Sequence, residues 1–583
     1  MNHLNKFSID YVKNLAIDLE SLDKTSSTTI EDMNYDYSPY QISHLHNYNP
    51  ILGKLFEIEA KDSSTPFALN HKYHIRDLNT VIDIDTKEPV QKDVFVKFSP
   101  LLDPIRYMIG KYKKDEAKLR IMPSFHSTER CHPKIIDANN AAYIDSFFSF
   151  LTSKMLHCHG FLHGTDFYGT AVGVQTKYKM NVTDDLDYLN SSTYFSENTN
   201  KLFTITDFSE DDFTNFGSRR NKNRILIDDE DEKLDISPIL LDDVENIDCE
   251  TNDTIVSDDI VEEYVKHDTD NVSVTSSSSS DTSNNSEINY SSDDEQRNED
   301  SHGADDDVRD DKSDDVWQTD SDSDESSESY GVERFAYIKD FPVQLICLEK
   351  CEGTFDELFE TGKMNSDLAA SALFQIIMIL LSYQKSFHFT HNDLHTNNIM
   401  YNNTDIENLF YKYKNVVYKV PTYGKIFKLI DFGRGIYRFN GQLFCSDSFD
   451  MGGDAATQYN CEPYLNEKKP RLDPNYSFDL CRLGCSIYDF VIDDDEPNKK
   501  NKLDPLQETI YRWCLDDSDK NVLYKRNGDE RYPSFKLYKM IARTVHNHTP
   551  EAQLEFPYFS QFATKDGFDL ENGMDIDALP VYV

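Results

Sequence analysis

Positive charge is scarce in this sequence. Across 583 residues, 59 Lys and Arg face 105 Asp and Glu, a net charge of -46. So large an acidic excess argues against a general nucleic-acid binder and against docking on an anionic membrane. Paired cysteines are also lacking: ten Cys are scattered with no C-x-x-C, and no secretory signal opens the chain. Free thiols in a reducing, intracellular compartment are expected, rather than a disulfide framework or a zinc site. No unbroken apolar run approaches the ~20 residues that span a bilayer. The longest, Ala372–Leu381, contains Gln375 and reads as a buried helix. Glycine is nearly missing from the first hundred residues: Gly53 is the only one before Lys97. That excludes a glycine-rich anion-binding loop ahead of this lysine.

What is present falls into blocks. Residues 1–70 are polar with short amphipathic pieces such as Tyr11–Leu19, an extension with one or two helices. Residues 71–180 show β alternation at His74–Ile84 and Asp93–Phe98, a helical pattern from Ala138 to Leu156, then a strand from Phe161 to Val174. Residues 181–335 are rich in Asp, Glu, Ser, Asn and Thr, with runs such as Thr275–Asp281. They bury too little apolar surface to offset chain entropy, so disorder is expected, with local order at Leu202–Ile205 and Ile239–Leu241. The segment reads either as a plain solvated insertion or as a phosphorylatable acidic surface suited to a basic partner. Residues 336–350 hold the strand Val343–Leu348. Residues 351–583 are mainly helical, led by Ser366–Lys385 with Ser366 as N-cap and including Ser477–Val491, with strands at Val416–Val420 and Ile426–Ile430.

Three stretches carry chemistry. His391-Asn-Asp-Leu-His-Thr-Asn-Asn398 has the spacing H-x-D-x-x-x-x-N, with a carboxylate and an amide at the ends of one loop. Such a pair suits phosphoryl transfer, the carboxylate orienting a hydroxyl and the amide holding a metal ion. The plainer alternative is an Asx-rich turn before a strand. Thirty-eight positions after Asp393 comes Asp431-Phe-Gly433, fed by the apolar strand Ile426–Ile430. A carboxylate so delivered suits Mg²⁺. Lys97, in Val94-Phe-Val-Lys97, is either a surface strand lysine or a phosphate contact.

In this order the three stretches resemble the eukaryotic-type protein kinase superfamily, over about 75–181 and 336–560. The resemblance implies an α+β, two-lobed protein-kinase-like fold, with a small β-rich lobe, a larger helical lobe and the acidic segment inserted in the small lobe. It implies ATP and Mg²⁺ as cofactors. Lys97 would contact phosphates, and Asp145, in a helix lacking Glu, would replace its usual Glu partner. Leu348 would be the gatekeeper, Glu349 to Cys351 the hinge, and Asp356 a residue near the ribose. Asp393 would be the catalytic carboxylate with His395 assisting, and Asn398 and Asp431 the metal ligands. His391 would support the loop, and Asp479, in Ser477-Phe-Asp-Leu-Cys-Arg, would brace it from below.

The departures are the missing glycine loop, whose work would pass to a turn such as Asp77–Thr80; Asn392 in place of Arg; and His395 in place of Lys. Glu462 would pair with an Arg such as Arg531. The implied activity is transfer to Ser or Thr of a protein substrate. A catalytically silent scaffold is motivated by the missing loop and Glu, and a small-molecule kinase by Asp393-Leu-His395. An Asn-, Asp-, Ile-, Lys- and Tyr-rich composition also resembles divergent kinase-like proteins of giant DNA viruses, which implies host cytoplasm or virion.

Overall fold

The computed structural model describes residues 4–13, 37–56, 67–207, 333–492, 503–526, 528–533, 535–565, 567–568 and 573–583. All of them belong to the unit formed by Met1–Asp231 and Gly331–Val583; most of the acidic segment, including Ile239–Leu241, lies outside the described residues. The fold is mixed α+β, with several sheets and helices.

A five-stranded antiparallel sheet carries the first half of the chain. Arg334–Glu349 is its central strand, 16 residues long. It pairs along its length with Phe167–Asn181, and on its other edge with Phe203–Asp207 and then Val94–Pro100. Val94 and Val96 are buried, so the two-residue period turns Lys97 to the other face, opposite Ile346 in register. Asp207 pairs with Arg334, so the chain leaves the sheet and returns to it at neighbouring points. A long insertion between such ends adds little closure entropy, because that term grows only as the logarithm of length.

Among the described residues, the first 70 hold one helix, Pro50–Leu55, as expected of the extension, and strands besides. Tyr11–Lys13 is a strand paired with Phe67–Leu69, and Ile42–His46 adds an edge strand to the main sheet. A partner strand in space overrides a short amphipathic pattern. His74–Ile84 is not one strand but a hairpin of Tyr73–Asp77 and Thr80–Asp83; the Asp77 carboxylate accepts from Asn79 N at 3.0 Å and fixes the turn.

Helix Ala141–His159 starts at Asn140, whose side chain accepts from Ala142 N, and ends at Gly160 with φ +64°. Every residue from Ala142 to Met155 is buried. Phe148 is the reason it is fixed in place: its ring stacks on Phe389 at 4.1 Å and meets Phe432 at 4.8 Å.

The second half is organised around Ser366–Phe387, capped by Asn365 rather than Ser366 and buried on nearly all sides. By length and composition this 22-residue helix could cross a membrane; here protein surrounds it. Strands Ile399–Asn403 and Lys425–Leu429 pair beside it. Helices Phe478–Val491, Pro505–Trp513 and Lys536–Thr544 pack below. A strand at Asn408–Tyr413, unread in the sequence, pairs with Val416–Pro421 and runs parallel to Gly573–Asp575.

Candidate functional site

Lys97, Asp145 and Asp431 come from a strand, a helix and a turn far apart in the chain, and they meet. Lys97 Nζ lies 2.7 Å from Asp145 Oδ2 and 2.9 Å from Asp431 Oδ1. The second oxygen of Asp145 accepts from Phe432 N at 2.9 Å, so the helix also holds the turn that presents Asp431. Asp431 itself has φ +63°, a left-handed conformation that Asp tolerates better than most residues. Burial would lower the Lys97 pKa, but the two carboxylates outweigh it and raise it above the ordinary value. Burial works against ionisation of Asp431 too, and Lys97 outweighs it, so this carboxyl titrates below its usual range. The Asp145 carboxyl moves the other way, because its burial exceeds what Lys97 restores.

The loop His391–Asn398 is held from below. Asp479, fully buried in helix Phe478–Val491, accepts from His391 N at 2.9 Å and Asn392 N at 2.8 Å. His391 Nε2 lies 3.0 Å from Ile430 O. Asn392 has φ +64° and is buried, with its amide nitrogen 2.9 Å from Arg434 O and its oxygen accepting from Tyr459 Oη at 2.8 Å. A left-handed, fully bonded position suits Asn far better than a long side chain.

Asp393 stands between cations. Its Oδ1 accepts from Tyr538 Oη at 2.8 Å, and Arg434 Nη1 lies 3.6 Å from its Oδ2. Arg482 Nε donates to the same Tyr538 oxygen at 2.9 Å. Burial alone would raise the Asp393 carboxyl, but Arg434, His395, Arg482 and the Tyr538 hydroxyl hold it well below the usual carboxylate range. His395 is pulled down to about 4 by burial, which leaves it neutral near pH 7. Asn398 donates to Asp393 O at 3.0 Å, while its buried Oδ1 has no partner. An orphaned buried amide oxygen beside a carboxylate turn fits a hard cation. Among the described residues there is no group of three or more His, Cys, Asp or Glu that could hold a metal ion, so further ligands would have to come from substrate or water.

The remaining expected site residues have the following surroundings. Leu348 is buried opposite Phe95. Glu349 is tied down: its N–H donates to Asp166 O at 2.9 Å and its carboxylate takes Asp166 N, Lys428 and Asn402. Cys351 is half-buried, its thiol pushed up to about 12 by burial. Asp356 is buried and accepts from Thr396 Oγ1, which braces the 391–398 loop. The Asp77–Thr80 turn is bonded to Asp93 through Asn79, four residues and so about 13 Å of strand from Lys97. Glu462 pairs with Arg471 at 2.6 Å; Arg531 instead donates to Asn521 O.

An open depression of about 400 Å³ is walled by Asn79, Lys92, Asp93, Tyr168 and Glu349, and an enclosed cavity of about 30 Å³ by His71, Ser146 and Phe167; Lys97 and Asp431 line neither. Sequence reasoning missed Arg434, Arg482 and Tyr538. The two arginines lie three residues after Asp431 and Asp479, which is a usable signal. Tyr538 is 145 positions from Asp393, with no local signal. No family model matches this chain, and no curated protein matches it.

Proposed function

We propose that this chain is an ATP-dependent protein kinase that transfers the γ-phosphoryl group to Ser or Thr of protein substrates. The observation that carries this reading is the Lys97–Asp145–Asp431 cluster at 2.7 and 2.9 Å, which joins a strand lysine, a helix carboxylate and the carboxylate of a strand-fed turn. In this reading the five-stranded sheet and helix Ala141–His159 make a small lobe, residues 336–350 lead out of it, and 351–583 make the larger helical lobe.

Lys97 binds phosphate oxygens as a point charge and is steered by Asp145. When bound, Mg²⁺ supplies charge neutralisation on the terminal phosphates, and Asn398 and Asp431 are the residues that would hold it. Asp393 orients the acceptor hydroxyl. Its lowered pKa makes it a weak base, so it receives the proton late, as the loose transition state of phosphoryl transfer allows. Neutral His395 is available as a hydrogen-bond donor beside it.

A kinase-shaped binding protein is the second reading. It is favoured by the placement of the Asp77–Thr80 turn away from Lys97, which leaves no backbone cradle there for phosphates. Thermal shift with Mg-ATP separates the two when read with a phosphotransfer assay. A shift in wild type that is lost in Lys97→Ala and Asp431→Ala, together with transfer lost in Asp393→Ala, is expected. Equal transfer by wild type and Asp393→Ala would sink the kinase reading.

A further inference from the structure

Tyr538 sits where an acceptor hydroxyl has to sit. Its Oη donates to Asp393 Oδ1 at 2.8 Å, and the residue is only 7% exposed. Ring packing does not need that hydroxyl: Phe535 stacks on the ring at 5.5 Å and Phe478 lies 6.2 Å away, and a phenylalanine would pack the same way. Two guanidinium groups flank the ring, Arg482 at 5.1 Å and Arg434 at 5.5 Å. Arg482 Nε takes one lone pair of Oη, which leaves the other free to attack. Arg482 Nη1 is buried with no hydrogen-bond partner, although nearly all buried polar atoms in proteins find one. A phosphate ester on Tyr538 would supply that partner, with charge-assisted bonds to both arginines.

We propose that Tyr538 is a self-modification site, taking the phosphoryl group in cis before any other protein does; this rests on the kinase reading. The new bond joins Tyr538 Oη to the γ-phosphorus, the bond from that phosphorus to the β–γ bridging oxygen breaks, and ADP leaves. The phenol proton passes to Asp393 and then to solvent. Once esterified, Oη cannot donate to Asp393, and the phosphate repels that carboxylate. Asp393 Oδ1 is then open to an outside hydroxyl. Transfer to other proteins therefore starts slowly and accelerates as Tyr538 is modified.

The test uses the full chain, treated first with phosphatase, then given Mg-ATP with casein as probe acceptor, with peptide mass spectrometry on both proteins. Phosphate is expected on Tyr538, at a rate per molecule independent of protein concentration, and absent in Asp393→Asn. Casein labelling should show a lag that preincubation with Mg-ATP removes and that Tyr538→Phe lacks. Labelled casein with unmodified Tyr538 overturns the inference and leaves the kinase reading standing. Tyr538 modification that rises with protein concentration overturns the cis route. A thermal shift with Mg-ATP but no label anywhere overturns the inference and favours the binding-protein reading. No shift and no label overturns both.

Discussion

The two charged clusters of the site differ by one cation. Around Lys97 one cation is shared by two carboxylates. Beside Asp393, Arg434 is likewise shared by two carboxylates, Asp393 at 3.6 Å and Asp454 at 2.6 Å, but Arg482 adds a second cation through the Tyr538 hydroxyl. The Lys97 cluster therefore carries one surplus negative charge, while the Asp393 cluster is balanced. A hard cation would offset that surplus, and the orphaned Asn398 oxygen is a further acceptor available to one. Buried charges are costly unless met by partners, so this surplus points to what the Lys97 cluster is built to receive.

Breaking the Asp393 cluster has the largest expected effect. Asp393→Asn keeps the shape but removes the charge, and phosphotransfer should fall by about 10²–10⁴-fold. An unchanged rate would show that the carboxylate has no part in the chemistry. In the other cluster, Lys97→Ala leaves Asp145 buried beside Asp431 with no countercharge. Chemical denaturation should show about 3–5 kcal/mol of lost stability, and a loss below 1 kcal/mol would mean that water already screens the pair.

Acid separates the two designs further. His395 titrates near 4 when folded, against an ordinary 6.5, so between those values the unfolded chain binds the proton and the folded chain does not. Stability should fall as pH drops from 6.5 to 4, by about 3 kcal/mol from this residue. Buried His74 and His163, also lowered to about 4, add to the same trend. Asp393, depressed instead, keeps its contribution through this window and loses it only in stronger acid. A His395→Gln variant should show a shallower slope in melting temperature against pH; an identical slope would remove His395 from the account. The smallest effect is expected from Asp145→Glu, which adds one methylene in a fully packed helix. Overpacking should cost about 1–3 kcal/mol, read by thermal melting, and a stabilised variant would mean that the helix has room to retreat.

Much of the site was legible because its parts are local. The H-x-D-x-x-x-x-N spacing, the strand before Asp431 and the helix carrying Asp479 each announce themselves within ten or so residues. Asp145 was found as the best carboxylate of a helix lacking Glu, and the shorter side chain reaches because Phe148 pins that helix against Phe389 and Phe432. The bond from Thr396 to Asp356 was not legible, because forty positions separate the two. The N-terminal strands and Asn408–Tyr413 went unread because short, mixed polar segments become strands only when a partner edge is supplied.

By itself, then, the sequence determined the composition of the site: which carboxylates, which amide and which lysine, and the order in which elements deliver them. Local spacing and periodicity suffice for that, since they act within a single turn or strand. The tertiary structure decided how those groups are charged and who restrains them. Tyr538 and Asp393 are 145 positions apart, and Lys97 and Asp431 are joined only when strand, helix and turn pack together. Burial and the cations and anions it gathers set each pKa, and those are properties of a folded neighbourhood rather than of any stretch of chain.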